Sequence, residues 1–171
     1  MEINLIVAIA KSNLGIGKNN QLLWHLPADM QFFKQNTVGY PIITGRKNYE
    51  SIPEKFRPLT DRKNIILTHQ KNYVAPRATI VNTINEALNE AKKEHKNKCF
   101  VIGGGEIYKL FLEQNLVEKL IITWVDALID ADTFFPELDF DKWNLIEEKH
   151  FLKDEKNKFD FTICSYEKKK N

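Results

Sequence analysis

Short continuous apolar runs alternate along the chain with amphipathic segments a few turns long. Residues Asn4 to Ala10 (NLIVAIA) are almost wholly apolar and rich in β-branched side chains. That pattern predicts a strand buried on both faces and therefore central in a sheet. Residues Lys11 to Gln21 then hold Asn13, Gly15, Gly17, Asn19 and Asn20. Such a density of turn formers predicts a long surface loop of the kind that often serves as a lid. Pro27 suits the first turn of a helix, and Met30, Phe33 and Thr37 continue one face of it. PIIT (Pro41 to Thr44), NIILT (Asn64 to Thr68) and, more weakly, Ala78 to Val81 read as strands. Helices are expected from Lys47 to about Ile52 and from Ile84 to about Lys93, the second with Ile84, Ala87, Leu88 and Ala91 on one face.

The clearest strand-turn-helix unit runs from Cys99 to Leu112, where CFVI meets Gly103, Gly104 and Gly105 and then EIYKLFL. Lys119 to Val125 is a further buried strand. Strand and helix in alternation argue for an α/β fold: a mostly parallel sheet with helices on both faces. The pattern then changes, because Trp143 to Lys149 and Lys158 to Tyr166 read as strands with no helix between them. They should form a C-terminal antiparallel hairpin, which makes the sheet mixed.

Composition narrows the class. A chain of 171 residues, 43% hydrophobic and 28% charged, suits one globular domain, residues 1 to 171, with a real interior. The formal net charge of +2 gives no basis for nucleic-acid binding, and Lys168, Lys169 and Lys170 read as a solvated tail. Cys99 and Cys164 lie in apolar strands, which suggests buried free thiols and a reducing compartment. Met1 to Ala10 carries Glu2 and lacks a basic leader, and no apolar run approaches the ~20 residues that span a bilayer. The expected location is the cytoplasm, with no membrane partner.

Three strand ends could bind a nucleotide or phosphate. At Gly45-Arg46-Lys47, glycine permits a sharp turn, a helix start offers free N–H groups, and two cations can pair with phosphate. At Gly103 to Gly105 the missing side chains let a ligand approach the backbone, although the spacing is not the Rossmann fingerprint. Leu67-Thr68-His69 adds a hydroxyl and an imidazole at a third strand end. Gly15-Ile16-Gly17-Lys18 is not a P-loop, because Asn19 stands where Ser or Thr is required. The four histidines have no metal-ligand spacing, so no metal is expected. Asp29 falls in a first helical turn, where an aspartate is commonly a partner of the helix dipole. Position alone favours that ordinary role, but Phe32 and Phe33 lie three and four residues on, so an apolar wall shares its face. Desolvation would raise its pKa and the helix terminus would lower it. There it could hydrogen-bond a cationic or amidine-like heterocycle as a fork.

Six segments in this order, LIVAIA, LLWHLPADMQFFK, PIITGRKNYESIP, DRKNIILT, VIGGGEIY and ITWVDALIDADTFFP, resemble the dihydrofolate reductases over nearly the whole chain. The resemblance implies a central sheet of about eight strands, an adenosine-binding subdomain roughly over residues 39 to 96, and a loop subdomain made of the remainder. It implies NADPH-dependent reduction of 7,8-dihydrofolate to tetrahydrofolate, by hydride transfer from nicotinamide C4 to pterin C6 with a proton at N5, in one-carbon metabolism. Asp29 would bind the pterin 2-amino group and N3 and promote protonation through ordered water, with Trp24 and Thr123 completing the polar network. Ile6, Val7, Ala8, Met30, Phe33, Ile52, Leu59 and Ile102 would line the slot for the substrate's rings, and Arg62 would hold its α-carboxylate.

The cofactor side follows from the same resemblance. Arg46 and His69 match positions near the 2′-phosphate, beside Leu67 and Thr68, and Lys47 and Asn48, after Gly45, match positions near the pyrophosphate. Gly103 to Gly105, with Glu106, Ile107 and Tyr108, match the glycine turn, whose first two residues the family joins by a cis peptide. Ala8, Ile16 and Tyr108 would border the nicotinamide, and Ile102 would also bind the cofactor. The loop Lys11 to Leu23 would be the lid and Asp132-Thr133 its latch. A monomer that also binds antifolate inhibitors is implied. The chain departs from the family at Asn48, where threonine is usual, and at Leu23, where many bacterial members have proline. Its lid is one residue longer than in some bacterial members, and PEKFRPL (Pro53 to Leu59) is longer than in the shortest relatives. A related reductase acting on a pyrimidine of riboflavin synthesis lacks the LPAD helix. A nucleic-acid-binding module would need a basic, aromatic-studded face that the sequence does not supply.

Overall fold

Strand β1 (Glu2–Ala10) lies inside the sheet because apolar side chains leave it on both sides. In the computed structural model, which describes residues 1–171, Leu5 and Ile9 on one face are fully buried and Ile6 on the other is 6% exposed. Burying each such side chain contributes roughly 1.5–3 kcal/mol, so a strand covered on both faces commits the chain strongly to this register.

The remaining elements follow in order: β2 (Gly15–Gly17), α1 (Pro27–Thr37), β3 (Ile42–Gly45), α2 (Arg46–Ser51), β4 (Asn64–Leu67), β5 (Thr79–Val81), α3 (Ile84–Lys92), β6 (Lys98–Gly103), α4 (Gly105–Glu113), β7 (Lys119–Val125), β8 (Thr133–Phe134), β9 (Trp143–Phe151) and β10 (Phe161–Lys168). The main sheet has eight strands in the order β5-β4-β3-β6-β1-β7-β10-β9. All its neighbours pair in parallel except at β10, which runs against both β7 and β9. Helices α3 and α4 cover the face that carries Leu5, Ile43, Ile65 and Val101. Helix α1 packs on the opposite face with Ile6, Ile42, Phe100 and Ile121, and Tyr49 of α2 packs there on Ile66. The expected α/β architecture, with helices on both faces and a terminal hairpin, is what forms.

Two differences from the sequence reading matter for the site. The loop after β1 contains β2, paired antiparallel with β8 from the segment after β7. A Gly-Ile-Gly strand has no side-chain period and cannot be recognised alone. The last strand begins at Phe161 rather than Lys158, because Asp154, Asn157 and Asp160 draw the preceding residues into a hydrogen-bonded loop. No helix is long and apolar enough to cross a membrane.

Candidate active site

Two groups of candidate residues meet at the carboxyl ends of the parallel strands, the edge where open α/β sheets form ligand clefts. The first is built around Asp29 in the opening turn of α1. Thr123 on β7 lies beside Ala8 of β1 in the sheet, and its Oγ1 donates to Asp29 Oδ1 at 2.6 Å. Burial pushes the Asp29 carboxyl above the usual aspartate range, and the Thr123 bond opposes that rise without cancelling it. Ile6, Ala8, Trp24, Phe33, Leu59 and Ile102 gather on the same apolar cluster. Ile52 packs on the neighbouring Tyr49 and Ile66, and Met30 stands half exposed on the outer side of α1.

Val7 does not join them. Its side chain points to the opposite face, with Leu5 and Ile9, because successive strand residues alternate sides. Only its backbone can border a ligand in the slot. Arg62 is held at both ends of its guanidinium: Nη1 donates to Thr37 Oγ1 at 3.0 Å and Nε to the Thr60 carbonyl at 2.9 Å. Its remaining N–H donors are available to a carboxylate. Residues Glu54–Phe56 of the long PEKFRPL stretch form a 3-10 turn. Arg57 Nη1 then donates to the carbonyls of Glu50 and Ile52 at 2.7 and 2.9 Å, which returns the chain so that Leu59 reaches the slot.

The second group lines a groove of about 1330 Å³ that runs past the ends of β3, β4 and β6. Gly45, Arg46, Lys47, Asn48, Leu67, Thr68, His69, Gly104, Gly105, Glu106, Ile107 and Ile16 all form its walls. Arg46 Nη1 pairs with Glu50 Oε2 at 3.0 Å, which orients the guanidinium beside the Tyr73 ring. Asn48 Nδ2 donates inward to Thr44 Oγ1 at 3.0 Å and to the Ile102 carbonyl at 3.3 Å. Asparagine at this departure from the family therefore braces the strand ends. The Gly103–Gly104 peptide is cis, as the resemblance implies. Gly103 and Tyr108 lie beneath the groove rather than in its wall. Tyr108 is 4% exposed, and its hydroxyl donates to the Ile6 carbonyl at 2.8 Å, tying the glycine turn to the first site.

Helix starts give the groove its capacity for anions. The start of α3 is closed: Thr83 Oγ1 accepts from Glu86 N at 3.1 Å and Glu86 Oε2 from Asn82 N at 2.8 Å. The starts of α2 and α4, behind Gly45 and Gly104, have no side-chain cap. Their amides are thus free for a phosphate. Asn82, Thr83, Lys18 and Gln114 also line the groove and were missed in the sequence. Treating β5-α3 as a third strand-turn-helix unit would have found the first two; nothing local marks the others.

The loop Lys11 to Leu23 is stitched to the segment before β8. Asp132 Oδ2 accepts from Asn19 N at 2.9 Å, Asp132 N donates to the Gly17 carbonyl at 3.0 Å, and Lys18 pairs with Asp130 at 2.6 Å.

A sequence model described as dihydrofolate reductase matches residues 2–168. The chain is 39% identical to the dihydrofolate reductase of Staphylococcus haemolyticus over 168 residues, covering 98% of this chain and 96% of that one. It is 38% identical to that of Bacillus subtilis over 167 residues, covering 98% and 95%. Among solved structures, dihydrofolate reductase from Enterococcus faecalis complexed with NADP(H) and RAB-propyl superposes with a TM-score of 0.89 at 29% identity, covering 99% of this chain and 97% of that one. Matched by the family's model over residues 2–168 and 39% identical to a curated member over 98% of its length, the chain belongs to the dihydrofolate reductase family.

Proposed function

We infer that the two clefts divide the family's reaction between them, the groove taking NADPH and the Asp29 slot taking the pterin. The enzyme reduces 7,8-dihydrofolate to tetrahydrofolate. The groove suits a dinucleotide: it has the volume, two uncapped helix starts, Arg46 and Lys47 as cations, and bare backbone at Gly104 and Gly105. When bound, NADPH supplies the hydride, from nicotinamide C4 to pterin C6.

The chain's own residues do the rest. Asp29 receives the 2-amino group and N3 of the pterin and, held by Thr123, favours the N5-protonated form, with water as the carrier of that proton. Ile6, Ala8, Phe33, Ile52, Leu59 and Ile102 exclude bulk water and fix the ring plane, and Arg62 holds the substrate's α-carboxylate. Trp24, packed on the same apolar cluster, completes the polar network with Thr123. Ile16 and the loop Lys11 to Leu23 close over the nicotinamide, latched by Asp132. Residues 39–96 carry the adenosine side. The enzyme acts as a monomer in the cytoplasm, in keeping with two free buried cysteines, of which Cys99 has its thiol pushed up to about 12 by burial.

The observation that carries this reading is Asp29, a half-buried, desolvated acid with one hydroxyl partner and an apolar wall. Dihydrofolate-dependent oxidation of NADPH by the purified protein tests it, and no dihydrofolate-dependent rate would overturn it. Arg46 is the residue that should read the 2′-phosphate. Arg46→Ala is expected to raise KM for NADPH about tenfold, a charge-assisted hydrogen bond discounted for solvent, and to change KM for NADH less than twofold. The NADPH effect should shrink as salt rises. Equal effects on both cofactors would show that Arg46 does not discriminate.

A further inference from the structure

Helix α1 carries the catalytic acid, yet its start has no cap of its own. Leu26 occupies the cap position, and Pro27 brings no N–H. The first helical bond runs from Met30 N to the Leu26 carbonyl at 3.0 Å, so Ala28 and Asp29 have no helical acceptor for their amides. Ala28 N finds its acceptor 129 residues away, donating to Asn157 Oδ1 at 3.1 Å in the loop between β9 and β10.

The Asn157 amide can face only one way. Asp154 Oδ1 accepts from Asn157 N at 2.6 Å, from Asn157 Nδ2 at 3.1 Å and from Lys156 N at 2.9 Å, and Asp154 N donates to the Asn157 carbonyl at 2.7 Å. With its NH2 turned to that carboxylate, the side chain must present its oxygen to α1. Asn157 is 7% exposed, whereas Asp154, Glu155, Lys156 and Lys158 beside it are exposed. The same loop is anchored just past the end of β7, three residues beyond Thr123, because Lys153 N donates to Asp160 Oδ1 at 2.6 Å and Asp126 N to the Asp160 carbonyl at 2.9 Å.

We propose that Asn157 is a positioning residue for the reaction, an N-terminal cap supplied from the far end of the chain that holds the first turn of α1 and so sets Asp29 against the pterin. The proposal rests on the reading of Asp29 as the pterin-binding acid. Asp29 is gripped at two points: Thr123 takes its carboxylate, and Asn157 takes the backbone one residue before it. The titratable groups on the elements around this turn are exposed His25 before it, Lys34 further along α1, and Lys153, Asp154, Glu155, Lys156, Lys158 and Asp160 on the loop; on this face β1 and β7 present Ile6, Ala8, Ile121, Thr123 and Val125. Burial raises the Asp29 pKa and the Thr123 bond opposes the rise, so water admitted to this turn would lower it.

Asn157→Ala is expected to lower kcat/KM for dihydrofolate roughly tenfold, with KM for NADPH within about twofold. It should also move the midpoint of the pH–rate profile downward, because a freed amide and entering water both favour the Asp29 carboxylate. Exchanging the pair, Asp154→Asn with Asn157→Asp, keeps an acceptor for Ala28 and avoids two adjacent carboxylates. That variant should recover kcat/KM to within about threefold and move the midpoint above wild type, since it brings a negative charge nearer Asp29. A purely structural role would lower the melting temperature and leave both midpoints at the wild-type value, and that result overturns the proposal. Should Asn157→Ala not fold, an unmoved midpoint in the exchanged pair overturns it equally. Asp29→Asn serves as the reference: full activity there would sink the reading of Asp29 itself, whatever happens at Asn157.

Discussion

Asp29→Asn is expected to lower kcat/KM for dihydrofolate near neutral pH by roughly a thousandfold, within the range that a positioned acid or base contributes. The amide fits the same space and can still accept from Thr123, so the slot should keep its shape. What is lost, on the proposed reading, is the carboxylate that stabilises a protonated pterin. Wild-type rate should fall as pH rises through the raised pKa of Asp29, whereas the variant should lack that inflection. It should regain part of its activity as pH falls and solvent protonates N5 unaided. A rate within a few-fold of wild type near neutral pH would remove Asp29 from the reaction.

The same substitution should stabilise the fold. Because burial raises the Asp29 pKa, the native state holds a proton that the unfolded chain has already released between the ordinary aspartate value, about 3.9, and the raised one. Stability therefore declines as pH rises across that window and stays reduced above it. Asp29→Asn removes this cost, so its melting temperature should exceed wild type at neutral pH and approach it, or fall below, at pH under that window. A variant that is less active and more stable is what a desolvated functional charge predicts; one that loses both would mark Asp29 as a structural residue.

The sheet was legible wherever burial is continuous. NLIVAIA, NIILT and CFVI could be read as strands because covering both faces demands unbroken apolar runs, and the ends of the last two led to His69 and Gly103. Asp29 could be singled out because α1 puts it on the face of Phe32 and Phe33, although position alone favoured an ordinary helix-start acid. Contacts between distant segments left no such trace. The β2–β8 pair joins Gly15–Gly17 to Thr133–Phe134, and Asn157 caps a helix that begins at Pro27; neither partner shows a period or spacing. The facing of Val7 follows from strand alternation, which sets it on the other side from Ile6 and Ala8, so the three do not form one wall.

Gly103→Ala should be the most damaging of the small substitutions, because it strikes both clefts at once. Gly103 has φ +118, a conformation that side chains rarely adopt, and a Cβ there would lie 3.0 Å from the Tyr108 hydroxyl and 3.1 Å from its Cζ. Strain and overpacking each cost about 1–3 kcal/mol, so a loss of roughly 4 kcal/mol is expected. For a chain of this size that is on the order of a 10 °C fall in melting temperature. Tyr108 cannot move alone: its hydroxyl holds the Ile6 carbonyl and its ring lies on Phe135, next to β8. Displacing it shifts the pterin slot through Ile6 and the lid's partner strand through Phe135. KM should therefore rise for NADPH and for dihydrofolate together, in contrast to Arg46→Ala, which acts on NADPH alone. Gly104→Ala provides the comparison, since its nearest contact would be Asn48 Cβ at 3.9 Å. It should fold with near-wild-type stability and weaken only NADPH binding, where a methyl group intrudes on the free amides at the start of α4. If Gly103→Ala matched Gly104→Ala in both melting temperature and dihydrofolate KM, the link from the glycine turn through Tyr108 to the pterin slot would not carry the load assigned to it.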